Sequence, residues 1–168
     1  MQQLLLTTAN LANAVTCQIA HVIRWLALIM VLMTISIVVL RYAFNVGAIP
    51  LQEGVMYLHG ALFMLGIPYG VSTNTHVRVD IIYTRLTDNQ RRYIDLAGHI
   101  LFLVPVSIFI IVTSVPYVKA SWAVLEGSAE VGGIPGVFLL KTLIPVMAAL
   151  LLVQGFSQIV RSILVTEK

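Results

Sequence analysis

The chain has 168 residues, of which 59% are hydrophobic and only 10% charged, with a mean hydropathy of +0.95. That composition excludes a soluble globular domain and a disordered chain alike, and four membrane helices of about 20 residues each leave no length for a separate catalytic domain. The net charge of +3 and pI near 9.2 do not point to nucleic acid, because the ten Lys and Arg are scattered at the ends of apolar runs.

The first 23 residues carry no charged side chain, and Leu4, Leu11, Val15, Ile19 and Val22 recur near the helical period. They predict an amphipathic N-terminal lead-in lying in the membrane interface. No basic segment precedes it, and Gln2, Gln3, Asn10 and Asn13 interrupt any signal-peptide core, so cleavage is not expected. Cutting the remainder at its charges leaves windows at 25–40, 54–75, 96–118 and 142–160, each close to one bilayer crossing. The first is short, but Arg24 and Arg41 bracket it with stems long enough to carry their guanidinium groups to the interfaces. The expected fold is all-α integral membrane. It is a single membrane domain over 1–168 with four transmembrane helices, approximately 22–44, 51–74, 92–118 and 135–161.

The second span carries Gly54, Gly60, Gly66 and Gly70 around a helix-bending Pro68, a small-residue pattern that lets another helix approach closely. After it, His76-Val-Arg-Val-Asp80 leads to Ile81, Ile82, Tyr83 and Leu86, spaced as on one side of a short interfacial helix between spans two and three. Thr87-Asp-Asn-Gln90 then fits a capping box at the start of span three, with Arg91, Arg92 and Asp95 on its first turns. Val46-Gly-Ala-Ile-Pro50 and Val131-Gly-Gly-Ile-Pro135 echo each other at the starts of spans two and four. Each is expected to place Pro at a helix start, either as a trace of a duplicated hairpin or as two similar turns.

Arg24, Arg78, Arg85, Arg91, Arg92, Arg161 and Lys168 fall on one side of this topology, and Arg41, Lys119 and Lys141 on the other. The bias predicts both termini in the cytoplasm. Trp25, Tyr83 and Tyr93 would lie at the cytoplasmic interface, and Tyr42, Phe44, Tyr117 and Trp122 at the opposite one.

Glu53 and Lys141 each follow a proline by a few residues, which places both just inside the apolar slab on the same side. They are expected to form an interhelical ion pair, or else to reach water separately. Of the four histidines only His59 lies well inside a window, without a partner at its depth, so haem ligation is not expected. No intramembrane Asp and no polar stripe along a helix marks a transport pathway. Ser107, Thr113, Ser114 and Ser121 lack a His and Asp around them, and the lone Cys17 has no Cys/His cluster, so no catalytic residue, cofactor or metal site is assigned. On these grounds the chain reads as a scaffold or accessory subunit.

The order and spacing of Leu51-Gln52-Glu53, Leu65-Gly66, Tyr69-Gly70, His76-Val-Arg-Val-Asp80, Leu86, Arg92 and Ile94-Asp95 resemble the small membrane subunit of tripartite ATP-independent periplasmic (TRAP) transporters, the DctQ type. Trp122, Glu126 and Ser128, with Ile134-Pro135 and Lys141, continue the resemblance. It implies a multi-pass bacterial inner-membrane protein, not an enzyme, that braces the stationary scaffold of a large elevator-type subunit (DctM-type) in sodium-driven uptake of an organic acid. A periplasmic substrate-binding protein would be the third component. Arg41, Glu126 and Glu130 are then candidates for its docking face, with Glu53 and Lys119 beside them. His76, Arg78 and Asp80 are candidates for holding the large subunit or for anchoring the end of span two in the membrane interface. The competing reading is a membrane anchor of a redox enzyme, with or without haem.

Overall fold

The computed structural model describes residues 2–73 and 86–164, and everything regular among them is helical. Helix α1 runs over Gln2–Phe44, α2 over Ile49–Ser72, α3 over Asp88–Ala123 and α4 over Val137–Leu164. All four are long and apolar enough to cross a bilayer. The helix expected over 81–86 falls almost wholly outside the described residues.

No Gly or Pro occurs between Gln2 and Phe44, so nothing in the sequence stops the first helix once it has started. The lead-in and the first span are therefore one helix of 43 residues. At about 1.5 Å per residue it is about 64 Å long, roughly twice the hydrocarbon thickness. It ends where Asn45 adopts φ 54° and the Val46 N–H returns to the Leu40 carbonyl at 3.0 Å. Polar residues within the helices are neutralised locally: the hydroxyls of Thr34, Ser36 and Thr113 donate to Met30, Leu32 and Phe109 carbonyls.

Helix α3 begins with the capping box that the sequence predicts. The Thr87 hydroxyl accepts from the Gln90 N–H, and the Gln90 side chain accepts from the Thr87 N–H. Within α3 a π-helical segment spans His99–Leu103. Pro105 has no N–H to return to Leu101, so the ladder slips by one residue and Val104 bonds the His99 carbonyl instead.

Helices α1, α2 and α4 pack mutually, whereas α3, among the described residues, packs chiefly on α4. Along α3 the residues buried in that contact are Ser107, Ser114, Val118 and Ser121. The three serines fall every seventh position, which is the repeat that keeps small side chains on one seam of a left-handed helix pair. Opposite them Gly155 receives Leu103: a methyl group at Gly155 would stand 2.5 Å from Leu103 Cδ2. The start of α1 and the end of α4 share what is called here the terminal end. The α1–α2 and α3–α4 connections form the opposite, loop end.

Candidate functional site: the clasp at the loop end

Four elements meet at the loop end: the starts of α2 and α4, the end of α3, and the loop over 124–136. Helix α3 closes with a paired turn in which Glu126 N–H bonds the Ser121 carbonyl at 3.0 Å and Leu125 N–H bonds Trp122 at 3.2 Å. Leu125 takes the left-handed conformation, φ 46°, that such a turn requires. A leucine there costs about 1 kcal/mol relative to glycine. The turn delivers the Glu126 carboxylate to Lys141, whose ammonium bonds it at 2.5 Å while lying 4.2 Å above the Tyr117 ring. Trp122 completes the α3–α4 contact, donating its indole N–H to Thr142 at 2.9 Å and meeting Phe138 edge-on. The Lys141 ammonium holds the Glu126 carboxyl below its ordinary value by bonding the charged form.

A second carboxylate ties α2 to the same loop. The Ser128 hydroxyl donates to Glu53 Oε1, and the Ile134 N–H donates to Glu53 Oε2 at 2.6 Å. Ser128 also accepts from the Glu130 N–H, which closes the loop on itself. Gly133 gives the carboxylate room, since a methyl group there would stand 2.7 Å from Glu53 Oε2 and closer still to Ser128. The Tyr57 hydroxyl is buried beneath this cap without a hydrogen-bond partner.

These contacts replace the expected Glu53–Lys141 ion pair. Leu140 packs on Gly60 of α2, so Lys141 stands near that level. Glu53 is seven residues nearer the start of α2, about 10 Å along its axis. The two echoing segments also differ. Pro50 is the second residue of α2, whereas Pro135 precedes α4 by two residues and lies in the turn that binds Glu53.

The terminal end is joined mostly by neutral groups. Gln154, Ser157, Gln158 and Arg161 lie at helical spacing on one face of α4. The fully buried Gln154 donates to Asn13 at 3.2 Å, Ser157 to the Ala9 carbonyl at 2.8 Å, and Arg161 to Asn10 at 3.0 Å. Gln158 donates to the Val71 and Ser72 carbonyls at the end of α2. The sequence shows no polar stripe of the kind that marks a transport pathway, and the polar face of α4 has a different use. It is closed by α1 and α2 and serves as helix-to-helix bonding, and its i, i+3, i+4, i+7 spacing was the available signal. The lead-in is likewise no separate surface helix, because Ala9, Thr16 and Ile23 are buried within the bundle.

Arg41 and Glu130 are exposed at the loop end, while Glu126 is half-buried in its ion pair. His76, Arg78 and Asp80 lie outside the described residues. His59 stacks on Phe63, and among the described residues no group of three His, Cys, Asp or Glu side chains could hold a metal ion.

Residues 30–165 match the family model of tripartite ATP-independent periplasmic transporters, DctQ component. The chain belongs to the DctQ family. It is therefore the small membrane subunit of a TRAP transporter, a multi-pass protein of the inner membrane and not an enzyme. No curated protein and no solved structure matches the chain. The matched stretch of this DctQ protein holds the whole clasp, from Glu53 to Lys141, whereas α1 up to residue 29 precedes it.

Proposed function

We propose that this DctQ subunit braces the scaffold of a large, elevator-type DctM subunit and that its loop end helps to form the docking face for the periplasmic substrate-binding protein. In this reading both termini are cytoplasmic, and transport is driven by sodium and delivers an organic acid. The observation that carries the proposal is the clasp: Glu53 and the Glu126–Lys141 pair fasten the loop over 124–136 to α2 and α4. A docking face needs such a loop, because a surface ordered in advance loses less entropy on association. Arg41, Glu130 and the almost fully exposed Val131 stand around it as charged and apolar contact groups. The bracing role is supported by the wide apolar flanks of α1 and α3, which offer the large subunit and lipid a packing surface.

The test is uptake by the reconstituted three-component system with the binding protein titrated. Arg41→Gln with Glu130→Gln should raise the binding-protein concentration needed for half-maximal uptake several-fold while the maximal rate holds. An unchanged titration would remove these two residues from the docking face.

A further inference from the structure

A cleft of about 420 Å³ opens between α1 and α2 toward the terminal end, and Cys17, His21, Arg24 and Tyr69 bring polar groups to its walls. The Arg24 guanidinium lies 5.6 Å from the Trp25 ring centre, on the outer side of α1. Its neighbour Ile23 packs beside Gly66, six residues before the end of α2. Arg24 therefore sits about 9 Å inside that end, measured along α2. A cation at such a depth requires an anion or a path to water. No Asp or Glu occurs before Glu53, and none occurs from 54 through 79, so neither α1 nor the wall of α2 beside Arg24 can supply the anion.

Beyond Arg24 the seam changes character. A second cleft, of about 410 Å³, follows along α1 and is lined by Ala27, Met30, Val31, Thr34 and Ile35, with Leu62 of α2 shared between the two clefts. The Thr34 hydroxyl is bonded to its own helix, so this wall offers only hydrocarbon. From Arg24 to Ile35 the distance along the helix is about 16 Å, roughly half the hydrocarbon thickness of a bilayer. A cationic mouth followed by an apolar groove one leaflet deep has the shape and polarity of a single phospholipid.

We propose that the α1–α2 seam is a binding site for an anionic phospholipid of the leaflet at the terminal end, with Arg24, assisted by His21 and Tyr69, holding the headgroup phosphate and the groove from Ala27 to Ile35 holding an acyl chain. Arg24, His21 and Cys17 all precede the residues matched by the family model, so family membership does not account for this site.

The site contains its own reporter in Trp25, and the chain's other tryptophan, Trp122, is at the opposite end. The experiment uses the full chain with the subunits that accompany it, carrying Trp122→Phe, in phosphatidylcholine nanodiscs with increasing chain-brominated phosphatidylglycerol. Trp25 quenching should saturate at a low mole fraction, and brominated phosphatidylcholine should quench it less. Arg24→Gln should raise the half-quenching mole fraction about tenfold, the loss expected for one charge-assisted contact. Arg24→Lys should restore most of the effect, and Gly66→Leu should reduce quenching by narrowing the cleft with the charge intact. Millimolar inorganic phosphate should leave the quenching unchanged. Identical curves for the parent and Arg24→Gln would overturn the proposal, showing that Arg24 only reaches to water. Competition by inorganic phosphate, undiminished in Gly66→Leu, would overturn it in favour of a free-anion site. Loss of the large subunit in Arg24→Gln with quenching unchanged would overturn it by assigning the counter-anion to a partner carboxylate.

Discussion

The two ends of this bundle are fastened by opposite chemistries. At the loop end the bonds run through ions: Glu53 to a hydroxyl and a backbone N–H, and Lys141 to Glu126. At the terminal end they run mostly through amides, hydroxyls and carbonyls, with Gln154, Ser157 and Gln158 as donors from α4. The loop end can use ions because its partners lie in a solvated loop, where a charge keeps part of its hydration. Gln154, seven residues inward from Arg161 and fully buried, has no such recourse. There a neutral amide joins two helices without the desolvation cost of a charge.

The largest effect should come from the ionic end. Glu53→Ala removes a carboxylate that receives two charge-assisted hydrogen bonds and leaves the Ile134 N–H without its acceptor. The expected loss is about 2–3 kcal/mol, read as a lower thermal midpoint of the purified subunit. Glu53→Gln should lose less, since its amide oxygen can still accept from Ile134. Equal losses in the two variants would mean that the charge contributes nothing.

At the neutral end the effect should be smaller and should depend on which partner remains. Gln154→Leu leaves Asn13 without its donor and should cost about 1 kcal/mol. Asn13→Leu together with Gln154→Leu should recover most of that loss, because no buried polar atom of the pair is then left unsatisfied. A double variant as unstable as the sum of the two single ones would show that the amides act through packing and not through their hydrogen bond.

The smallest effect is a local one of pH. Because Lys141 lowers the folded-state value of Glu126, the unfolded chain binds a proton more readily at this group, and stability rises with pH through the window. The contribution is complete above the ordinary carboxylate range and is lost as pH falls through the lowered value. Acid should thus release the loop end first, changing the emission of Trp122, which lies beside the pair, before that of Trp25 at the other end of the molecule. Simultaneous changes in both tryptophans would contradict a loop end that titrates by itself.

Four apolar stretches and a capping box at Thr87 were legible along the chain, because each is a property of composition or of residues within one turn of each other. The merging of lead-in and first span was legible too, in the run from Gln2 to Phe44 without Gly or Pro, yet amphipathicity and a single Arg24 suggested a boundary there. The partners of Glu53 and Lys141 were not legible. A position a few residues past a proline suggested similar depth for both, and only the packing of Leu140 on Gly60 reveals the offset of α4 against α2. The serines at 107, 114 and 121 and the amide face of α4 were visible as spacings, but a spacing does not name the helix that covers it.

By itself, then, the sequence determined that the chain crosses the membrane as four helices, where charge keeps their ends in water, and, through the order of its motifs, that it belongs with the small subunits of TRAP transporters. The tertiary structure alone decided which charges meet, which amides bridge α1 to α4, and that Arg24 faces a cleft lined by no acid among the described residues. Helix formation depends on hydrogen bonds within one segment and on its transfer into lipid, both encoded locally. Partnership depends on the relative height of neighbouring helices, which no single segment specifies.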